Sequence, residues 1–310
     1  GSFALSTFQG LYETSHEIVG LVTQPDRTGR GHHKHVNLMK ELANEYETPV
    51  FQPVKANDPE SLGRLREFNA DLFVTAAYGQ ILSAELLSIP KIGAINVHAS
   101  LLPKYRGAAP IQFAIINGEK ETGITIFRIE PKLDAGPILG VEKTDIGKKE
   151  TYGKLQDRLA DLAVPLTCKV VDDLAAGTAQ ESVQDASLVS RAPRLKKTDG
   201  MIPWQKSSRL VGCHIRGEQP WPKPSTVLHA GDAALRLLVL DVDSSDHVVI
   251  GEPGTIEVVD RTRLFVKTQE GSVEVLSLQP EGKRPMSPAE FLNGKTISAG
   301  DRFEIPAELT

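Results

Sequence analysis

The chain has 310 residues, of which 40% are hydrophobic, so it is long enough to bury the cores of two domains. Its 40 acidic and 35 basic residues give a net charge of −5, which excludes a global positive field and requires local basic patches for any nucleic-acid partner. Two isolated cysteines, no signal-peptide pattern and no apolar run near the roughly 18 residues of a membrane span predict a soluble protein of a reducing, intracellular compartment.

The first half of the chain alternates short β-rich runs with helical patterns. Near-continuous apolar strands separated by helices predict an α/β fold with a parallel sheet covered on both faces, in which ligands bind beyond the carboxyl ends of the strands. No Gly-x-Gly-x-x-Gly motif follows a strand, so a dinucleotide site is not predicted. The predicted strands are 16–24, 48–53, 71–78, 92–99 and 122–130, and the predicted helices are 36–46, 58–68 and 108–117.

Residues 1–13 read as a loop that enters a helix, so the sheet opens without a first strand. We therefore expect residues that precede residue 1 to supply that strand. Further along, leucine and valine residues recur at helical spacing from 151 to 176, and Pro165 within this run predicts a kink or a split in the helix.

The composition changes after this helix. Residues 184–204 have little periodicity and carry four basic side chains within seven positions, which is typical of a linker between domains. The predicted organisation is therefore a catalytic domain at 1–183, a basic linker at 184–206 and a second domain at 207–310.

Short, evenly spaced strands dominate the second domain and predict a small antiparallel barrel. A short helix at 207–217 and a rigid turn at 220–224 precede them, and Ser287, followed by Pro and Glu at the right spacing, predicts the start of a last helix. The predicted strands are 225–230, 234–242, 254–259, 263–269 and 272–279.

Three polar residues at strand ends form the candidate catalytic site. Asn96 and His98 are two positions apart and share one face of a strand, and Asp134 follows the next strand before a glycine turn. An amide, an imidazole and a carboxylate suit proton transfer and oxyanion stabilisation, and no obvious protein nucleophile accompanies them. The spacing alone leaves a simpler interpretation open, in which His98 is a hydrogen-bonded structural residue and Asp134 stabilises a turn.

Two stretches carry a specific resemblance, INVHASLLPKYRGAAPIQ at 95–112 and ETGITIFRIEPKLDAGPIL at 121–139. Together they resemble the folate-dependent formyltransferase family, with Asn96 and His98 in its N-x-H motif and Asp134 in its L-D-x-G motif. Four further motifs narrow the resemblance to the members that act on methionyl-tRNA, and the similarity runs from about residue 1 to 303. These motifs are VTQPDRTGRG (22–31), AAYGQIL (76–82), QPWP (219–222) and LSLQPEGKRPMS (276–287).

The resemblance implies a Rossmann-like catalytic domain with a parallel sheet, followed by an OB-like C-terminal β-barrel domain that binds tRNA. It also implies transfer of the formyl group of 10-formyltetrahydrofolate to the α-amino group of initiator methionyl-tRNA, without a metal. The amine of the substrate supplies the nucleophile, Asn96 and a protonated His98 stabilise the tetrahedral oxyanion, and Asp134 pairs with His98. The implied folate-binding residues are Ser100, Leu101, Leu102, Pro103, Ile81 and Leu82.

The implied tRNA contacts are local basic groups. Arg27, Arg30 and Lys34 belong to a Gly-rich loop after a strand, and Arg194, Lys196 and Lys197 lie in the linker, where a solvated surface explains them equally well. The loop departs from the family pattern, because histidines stand at 32, 33 and 35 where further basic residues are common. Three clustered histidines without a nearby carboxylate or thiol do not predict a metal site.

Two other functions compete with this interpretation. A related formyltransferase acting on an amino-sugar nucleotide shares the N-x-H and LLPKYRG motifs, whereas a non-catalytic RNA-binding module disagrees with the intact Asn96, His98 and Asp134. A ribonucleotide formyltransferase of purine synthesis would not need the second domain. We expect a monomer that acts in the bacterial cytoplasm or an organellar matrix.

Overall fold

A computed structural model of the chain describes residues 2–26, 36–231, 233–298 and 300–306. The chain divides into two compact units, which are described separately below. The first comprises Gly1–Pro110, Glu121–Asp145 and Gln156–Pro193, and the second comprises Ile111–Lys120, Ile146–Leu155 and Arg194–Thr310. The segment 184–206 is therefore divided between the units after Pro193.

The first unit contains strands and helices in alternation, as the sequence predicts. Its strands are β1 (Leu21–Val22), β2 (Val50–Phe51), β3 (Leu72–Thr75), β4 (Gly93–His98), β5 (Arg106–Gly107), β6 (Glu121–Arg128), β7 (Ile138–Asp145) and β8 (Arg191–Ala192). The helices of the first part of the chain are α1 (Ser2–Tyr12), α2 (Leu38–Glu45), α3 (Pro59–Glu67), α4 (Ala84–Leu87), α5 (Pro110–Ile116) and α6 (Tyr152–Ala175).

The predicted α/β fold is confirmed. Among the described residues, parallel strands occur as separate pairs and not as one continuous sheet. β1 pairs in parallel with β2, and β3 pairs in parallel with β4. β6 then runs antiparallel to β4, and β7 antiparallel to β6, so the four-stranded sheet has the order β3-β4-β6-β7. Our expectation that the strand at 122–130 is parallel was wrong, because an apolar strand pattern does not encode direction and antiparallel edges are common on such sheets.

Two predictions about helices, at the start of the chain and at Pro165, differ from the structure. Residues predicted as a loop at the start of the chain are already helical from Ser2. In α6, Pro165 does not split the helix. Although proline removes one backbone donor, the helix keeps a fully buried apolar stripe that includes Leu155, Leu159 and Ala163, and this packing holds the helix together.

The second unit contains a six-stranded antiparallel sheet that closes almost completely into a barrel. All five predicted strands are present, and a sixth, short strand was missed by the sequence analysis. The order is β11-β12-β13-β10-β9-β14, and the first and last strands meet where Phe303 N–H donates to the Gly254 carbonyl at 2.9 Å. The strands are β9 (Ser225–Ala230), β10 (Ala233–Ser245), β11 (Ile256–Val259), β12 (Arg263–Lys267), β13 (Ser272–Pro280) and β14 (Arg302–Phe303).

Two helices accompany the barrel, α7 (Ser208–Gly217) and α8 (Pro288–Asn293). The predicted cap of α8 is confirmed, since the Ser287 side chain accepts from Glu290 N–H and the Glu290 side chain bonds back to Ser287. The barrel encloses Trp204, which is fully buried, donates from Nε1 to Thr226 Oγ1 at 3.1 Å and stacks on Phe303. Across the described residues, every helix is too short or too polar to cross a lipid bilayer.

Glu218 is a buried carboxyl group at the end of α7. The residue is 0% exposed, and neither carboxylate oxygen has a hydrogen-bond partner among the described residues. Burial, reinforced by the negative charge of Asp199, raises the pKa of Glu218 to about 8. The folded protein therefore holds a proton that the unfolded chain releases at much lower pH.

We expect the free energy of unfolding to fall as the pH rises from about 6.5 to about 8, because the unfolded chain has already released the Glu218 proton that the folded state still binds. Above the folded-state pKa of about 8 the dependence should level off. Glu218→Gln keeps the shape and removes the titration, so the variant should lose less stability over the same window. Urea unfolding of both proteins at each pH measures the difference. This pH window lies above the titration of the buried His214, because burial lowers the pKa of His214 to about 4. Parallel pH dependence in the two proteins would contradict the assignment.

Candidate active site

Asn96 and His98 lie on the same face of β4, as the alternation of a strand requires. Ile95 and Val97, on the opposite face, are 0% and 3% exposed and belong to the core. β4 ends at His98, and β3 ends beside it because the two strands are parallel with Thr75 paired to Asn96. The candidate site is therefore at the carboxyl edge of this pair of strands, where the sequence predicts it.

Thr75 fixes the orientation of the Asn96 side chain. Its hydroxyl lies 2.7 Å from Asn96 Oδ1 and 3.1 Å from the Ile95 carbonyl, and its single proton serves the shorter contact. Because Oδ1 accepts this hydrogen bond, the Nδ2 amide protons of Asn96 are turned to the other side. The arrangement leaves Asn96 as a preset donor for a substrate oxygen.

His98 is buried and neutral in the free protein. Its Nε2–H donates to the Tyr105 carbonyl at 3.0 Å, which leaves the lone pair of Nδ1 facing Asp134 Oδ2 at 3.9 Å. Burial lowers the pKa of His98, and the negative charge of Asp134 and the hydrogen bond to Tyr105 oppose the decrease only in part. Desolvation thus favours the neutral imidazole in the free protein, whereas the expected protonated His98 concerns the tetrahedral intermediate and stays a prediction.

Asp134 is held by the backbone rather than by His98. Its Oδ2 accepts from Gly107 N–H at 2.8 Å, and the residue itself adopts φ +46° in the connection between β6 and β7. Gly107 has φ +129°, and a Cβ there would lie 2.4 Å from the Ala192 carbonyl oxygen, so glycine is required for this approach. The distance of 3.9 Å to Nδ1 is too long for a hydrogen bond, but short enough for strong charge interaction.

A second layer of contacts holds the turn that carries Asp134. Gln184 Nε2 donates to the carbonyls of Asp134 and Gly136 at 2.9 and 2.8 Å. Gln184 Oε1 in turn accepts two bonds from the Arg106 guanidinium, at 2.7 Å from Nη2 and 3.2 Å from Nε. Gln184 and Arg106 are 7% and 9% exposed, so the buried side-chain amide of Gln184 serves to hold this turn. We call Arg106 and Gln184 the turn clamp.

Sequence reasoning missed Thr75 and the turn clamp. Thr75 gives no local signal, because only the register of β3 against β4 brings it to Asn96. Gln184 lies 50 residues from Asp134 along the chain and was included in the predicted linker. Arg106 was noticed only as part of the YRG motif, and its contact with Gln184 depends on the short parallel pairing of β5 with β8.

The predicted folate-binding residues fall into two loops at the same sheet edge. Ser100 and Leu102 are buried in their own turn, where Ser100 Oγ donates to the Lys104 carbonyl and Leu102 N–H donates to Thr125 Oγ1. Leu101 is half-buried, and Pro103 follows a cis peptide bond. In the loop after β3, Ile81 is 83% exposed, whereas Leu82 packs against a small apolar cluster.

The predicted tRNA-binding residues fall into two groups. Arg27, Arg30 and Lys34 lie outside the described residues. Arg194, Lys196 and Lys197 are exposed and belong to the second unit. Among the described residues, no group of three or more His, Cys, Asp or Glu side chains is placed to hold a metal ion.

Comparison with known proteins gives the family. The family model described as "Formyl transferase" matches residues 1–171, and the model described as "Formyl transferase, C-terminal domain" matches residues 194–296. The chain belongs to the formyltransferase family. The methionyl-tRNA formyltransferase of Methylococcus capsulatus is 40% identical over 97% of this chain and 96% of its own length. The methionyl-tRNA formyltransferase of Geobacter sulfurreducens is 41% identical over 97% of this chain and 93% of its own length.

A solved structure supports the fold of this formyltransferase. WlaRD, a sugar 3N-formyltransferase whose crystal structure was solved in the presence of dTDP and 5-N-formyl-THF, superposes with a TM-score of 0.64. The match covers 91% of this chain and 95% of WlaRD at 17% sequence identity. At this identity the similarity establishes the shared architecture only.

The turn clamp generates a prediction for the formyltransferase reaction. Gln184→Met keeps the size of the side chain but removes both donors to the Asp134 turn. We expect kcat to fall by about 100-fold, since displacing a catalytic group by about 1 Å costs this much. KM for the formyl donor should change little. The apparent pKa in the kcat profile should also decrease, because His98 loses part of the charge interaction that raises its pKa.

Gln180→Met is the matched control, because Gln180 is exposed and its side chain donates to the nearby Thr178 carbonyl. Steady-state kinetics from pH 5 to 9 and thermal unfolding of both variants distinguish an effect on the position of Asp134 from a loss of overall stability. An unshifted pH profile in Gln184→Met, with kcat lowered no more than in the control, would remove Gln184 from the positioning of Asp134.

Proposed function

We propose that this formyltransferase transfers the formyl group of 10-formyltetrahydrofolate to the α-amino group of initiator methionyl-tRNA. The observation that carries this proposal is the 40–41% identity to two proteins named methionyl-tRNA formyltransferase, over 97% of this chain. The presence of 5-N-formyl-THF in the WlaRD crystals supports a reduced folate as the class of formyl donor.

The reaction needs an amine nucleophile from the substrate and a place for one proton. The amine nitrogen attacks the formyl carbon, and the carbonyl oxygen becomes negative in the tetrahedral intermediate. The bond from this carbon to N10 of the folate then breaks, the amine nitrogen loses a proton and N10 gains one. No oxidant or metal is required to balance these steps.

Asn96 supplies the donor for the developing oxyanion. The hydrogen bond from Thr75 at 2.7 Å engages Oδ1 of Asn96 and leaves the Nδ2 protons for the substrate oxygen. A preset donor of this kind costs no reorganisation when the negative charge develops, and it typically contributes a factor of about 100 to 1,000 in rate. Thr75 acts through Asn96 and is therefore a positioning residue.

His98 and Asp134 accept and hold the proton. The neutral Nδ1 of His98 has a free lone pair, and Asp134 Oδ2 lies 3.9 Å from it. Protonation of Nδ1 creates a cation beside a fixed carboxylate in a buried site, so Asp134 stabilises the product of proton transfer more than the starting state. The proton then returns to N10 as the folate leaves.

The donor folate fits the edge formed by the loops after β3 and β4. The exposed side chain of Ile81 and the half-buried Leu101 offer apolar contact to the pterin. Ser100, Leu102 and Leu82 hold the loops in place through their own packing and hydrogen bonds, and Pro103 fixes the turn. We therefore propose Ile81 and Leu101 as contacts, and the others as supports of the pocket.

The tRNA is held by local charge on a protein whose net charge is −5. Arg194, Lys196 and Lys197 are exposed basic side chains within four positions, which suits contact with the phosphate backbone. The Gly-rich loop with Arg27, Arg30 and Lys34 supplies further positive charge. Both groups are proposed tRNA contacts.

Substrate choice is tested directly. The protein is incubated with 10-formyltetrahydrofolate and, separately, with initiator methionyl-tRNA, elongator methionyl-tRNA or a dTDP-linked amino sugar. We expect formyl transfer to initiator methionyl-tRNA with the highest kcat/KM, measured by mass spectrometry of the released formylmethionine or formylated sugar. Faster transfer to the amino sugar would contradict the proposal and favour the related sugar enzymes.

Asn96→Ala tests the chemistry separately from binding. We expect the single-turnover rate to fall by about 100- to 1,000-fold through loss of the oxyanion donor, while tRNA affinity stays within twofold. Asn293→Ala at the end of α8 is the control, because Asn293 is exposed and belongs to the second unit. If single-turnover chemistry survives Asn96→Ala unchanged, the assigned role of Asn96 is wrong.

A further inference from the structure

The peptide group between Tyr105 and Arg106 determines which ring nitrogen of His98 carries the proton. Its carbonyl lies 3.0 Å from His98 Nε2, and because a carbonyl oxygen can only accept, the hydrogen is on Nε2. The lone pair of the neutral ring is then on Nδ1, the nitrogen that faces Asp134. The tautomer of a histidine is set by the hydrogen bonds at its ring, and this carbonyl provides the bond that selects Nε2–H.

Asp134 favours the opposite tautomer. Its Oδ2 lies 3.9 Å from His98 Nδ1, and a negative charge at this distance attracts the proton to the nearer nitrogen. With a proton on Nδ1, neutral His98 would have no lone pair on the side of the carboxylate and could not accept a proton there. The Tyr105 carbonyl must therefore keep its position for Nδ1 to serve as a base.

The backbone of Tyr105 does not prefer the conformation that places this carbonyl. Tyr105 is buried and adopts φ +63°, a left-handed conformation that costs free energy for a bulky residue. Such a conformation persists only where surrounding contacts impose it. Here these contacts come from Ser190, which lies 85 residues further along the chain.

Ser190 holds the two backbone N–H groups on either side of the Tyr105 Cα atom. Tyr105 N–H donates to Ser190 Oγ at 2.9 Å, and Arg106 N–H donates to the Ser190 carbonyl at 2.9 Å. The second N–H belongs to the same peptide group whose carbonyl accepts from His98. Because the N–H and C=O of a trans peptide group point in opposite directions, a partner that holds the N–H also aims the carbonyl.

The segment that contains Ser190 also contains one half of the turn clamp. Ser190 immediately precedes β8, which pairs in parallel with β5, and Gln184 six positions earlier holds the turn of Asp134. One stretch of chain, 184–190, therefore fixes the groups that face both ring nitrogens of His98. Gln184 holds the carboxylate side, and Ser190 holds the carbonyl side.

We propose that Ser190 is a positioning residue for formyl transfer, whose hydroxyl and backbone carbonyl hold the peptide between Tyr105 and Arg106 so that neutral His98 keeps its lone pair on Nδ1. Ser190 acts through this peptide and not on the reacting groups. The proposal rests on the proposed function of His98 as the proton acceptor, so its test includes a measurement without substrate.

Three variants of Ser190 test the hydroxyl. Ser190→Ala removes the side-chain acceptor and leaves the backbone carbonyl, Ser190→Thr keeps a hydroxyl, and Ser190→Cys keeps the size with a weaker acceptor. Ser187→Ala is the matched control, because Ser187 is exposed and its hydroxyl bonds to Asp185 two positions away. The His98 tautomer is read from its ring nitrogens by ¹⁵N NMR of histidine-labelled protein without substrate, and His98→Gln assigns the signals.

We expect the Nε2–H tautomer of His98 in the unchanged protein, in Ser190→Thr and in the control, and a mixture of both tautomers in Ser190→Ala. The kcat for formyl transfer should fall by about 10- to 100-fold in Ser190→Ala, because a general base contributes about 100- to 10,000-fold and part of this is lost. Ser190→Cys should lie between Ala and Thr. KM for the formyl donor should change little, since Ser190 acts on the proton acceptor.

The two measurements separate the possible failures. An unchanged tautomer in Ser190→Ala would overturn the proposal and leave the proposed formyl transfer untouched, because no substrate is present in that measurement. A changed tautomer with unchanged kcat would also overturn it, because His98 would then not be the proton acceptor. Equal losses of kcat in Ser190→Thr or Ser187→Ala would contradict a role of the Ser190 hydroxyl, and thermal unfolding of each variant identifies general destabilisation.

Discussion

The contact between the Asp134 carboxylate and the Gly107 backbone is the constraint on which the active site depends. It ties the connection between β6 and β7 to the segment that follows β4, and it places a negative charge 3.9 Å from His98. Only glycine tolerates this approach at position 107, where a side chain would meet the Ala192 carbonyl. The charge is therefore fixed by backbone geometry before any substrate arrives.

This placement bears on the proton transfer that we propose for His98. Burial lowers the pKa of His98, and the negative charge of Asp134 works against that effect. A carboxylate in direct hydrogen-bond contact would instead stabilise the imidazolium before the reaction. In the proposed mechanism, Asp134 at 3.9 Å, with its own hydrogen bond to Gly107, favours the imidazolium only once it forms during the reaction.

The sequence predicts the parts of this site that local patterns encode. Alternation along a strand places Asn96 and His98 on one face, and the five strands of the barrel follow from regular spacing and turn residues. Contacts set by tertiary pairing could not be predicted. Gln184 reaches Asp134 from 50 residues away, next to the bridge between Ile138 and Ser182, and β7 returns antiparallel to β6 through a turn with positive φ at Asp134. The neutral state of His98 depends on burial, which no motif specifies.

The contact between Thr75 and Asn96 connects the sheet to the candidate site. Thr75 is the last residue of β3 and pairs with Asn96 on β4, so the parallel register of the two strands sets the position of the Asn96 amide. An oxyanion donor is effective only when its position is fixed in advance. In the proposed mechanism, the packing of β3 against β4 is therefore a requirement of catalysis as well as of stability.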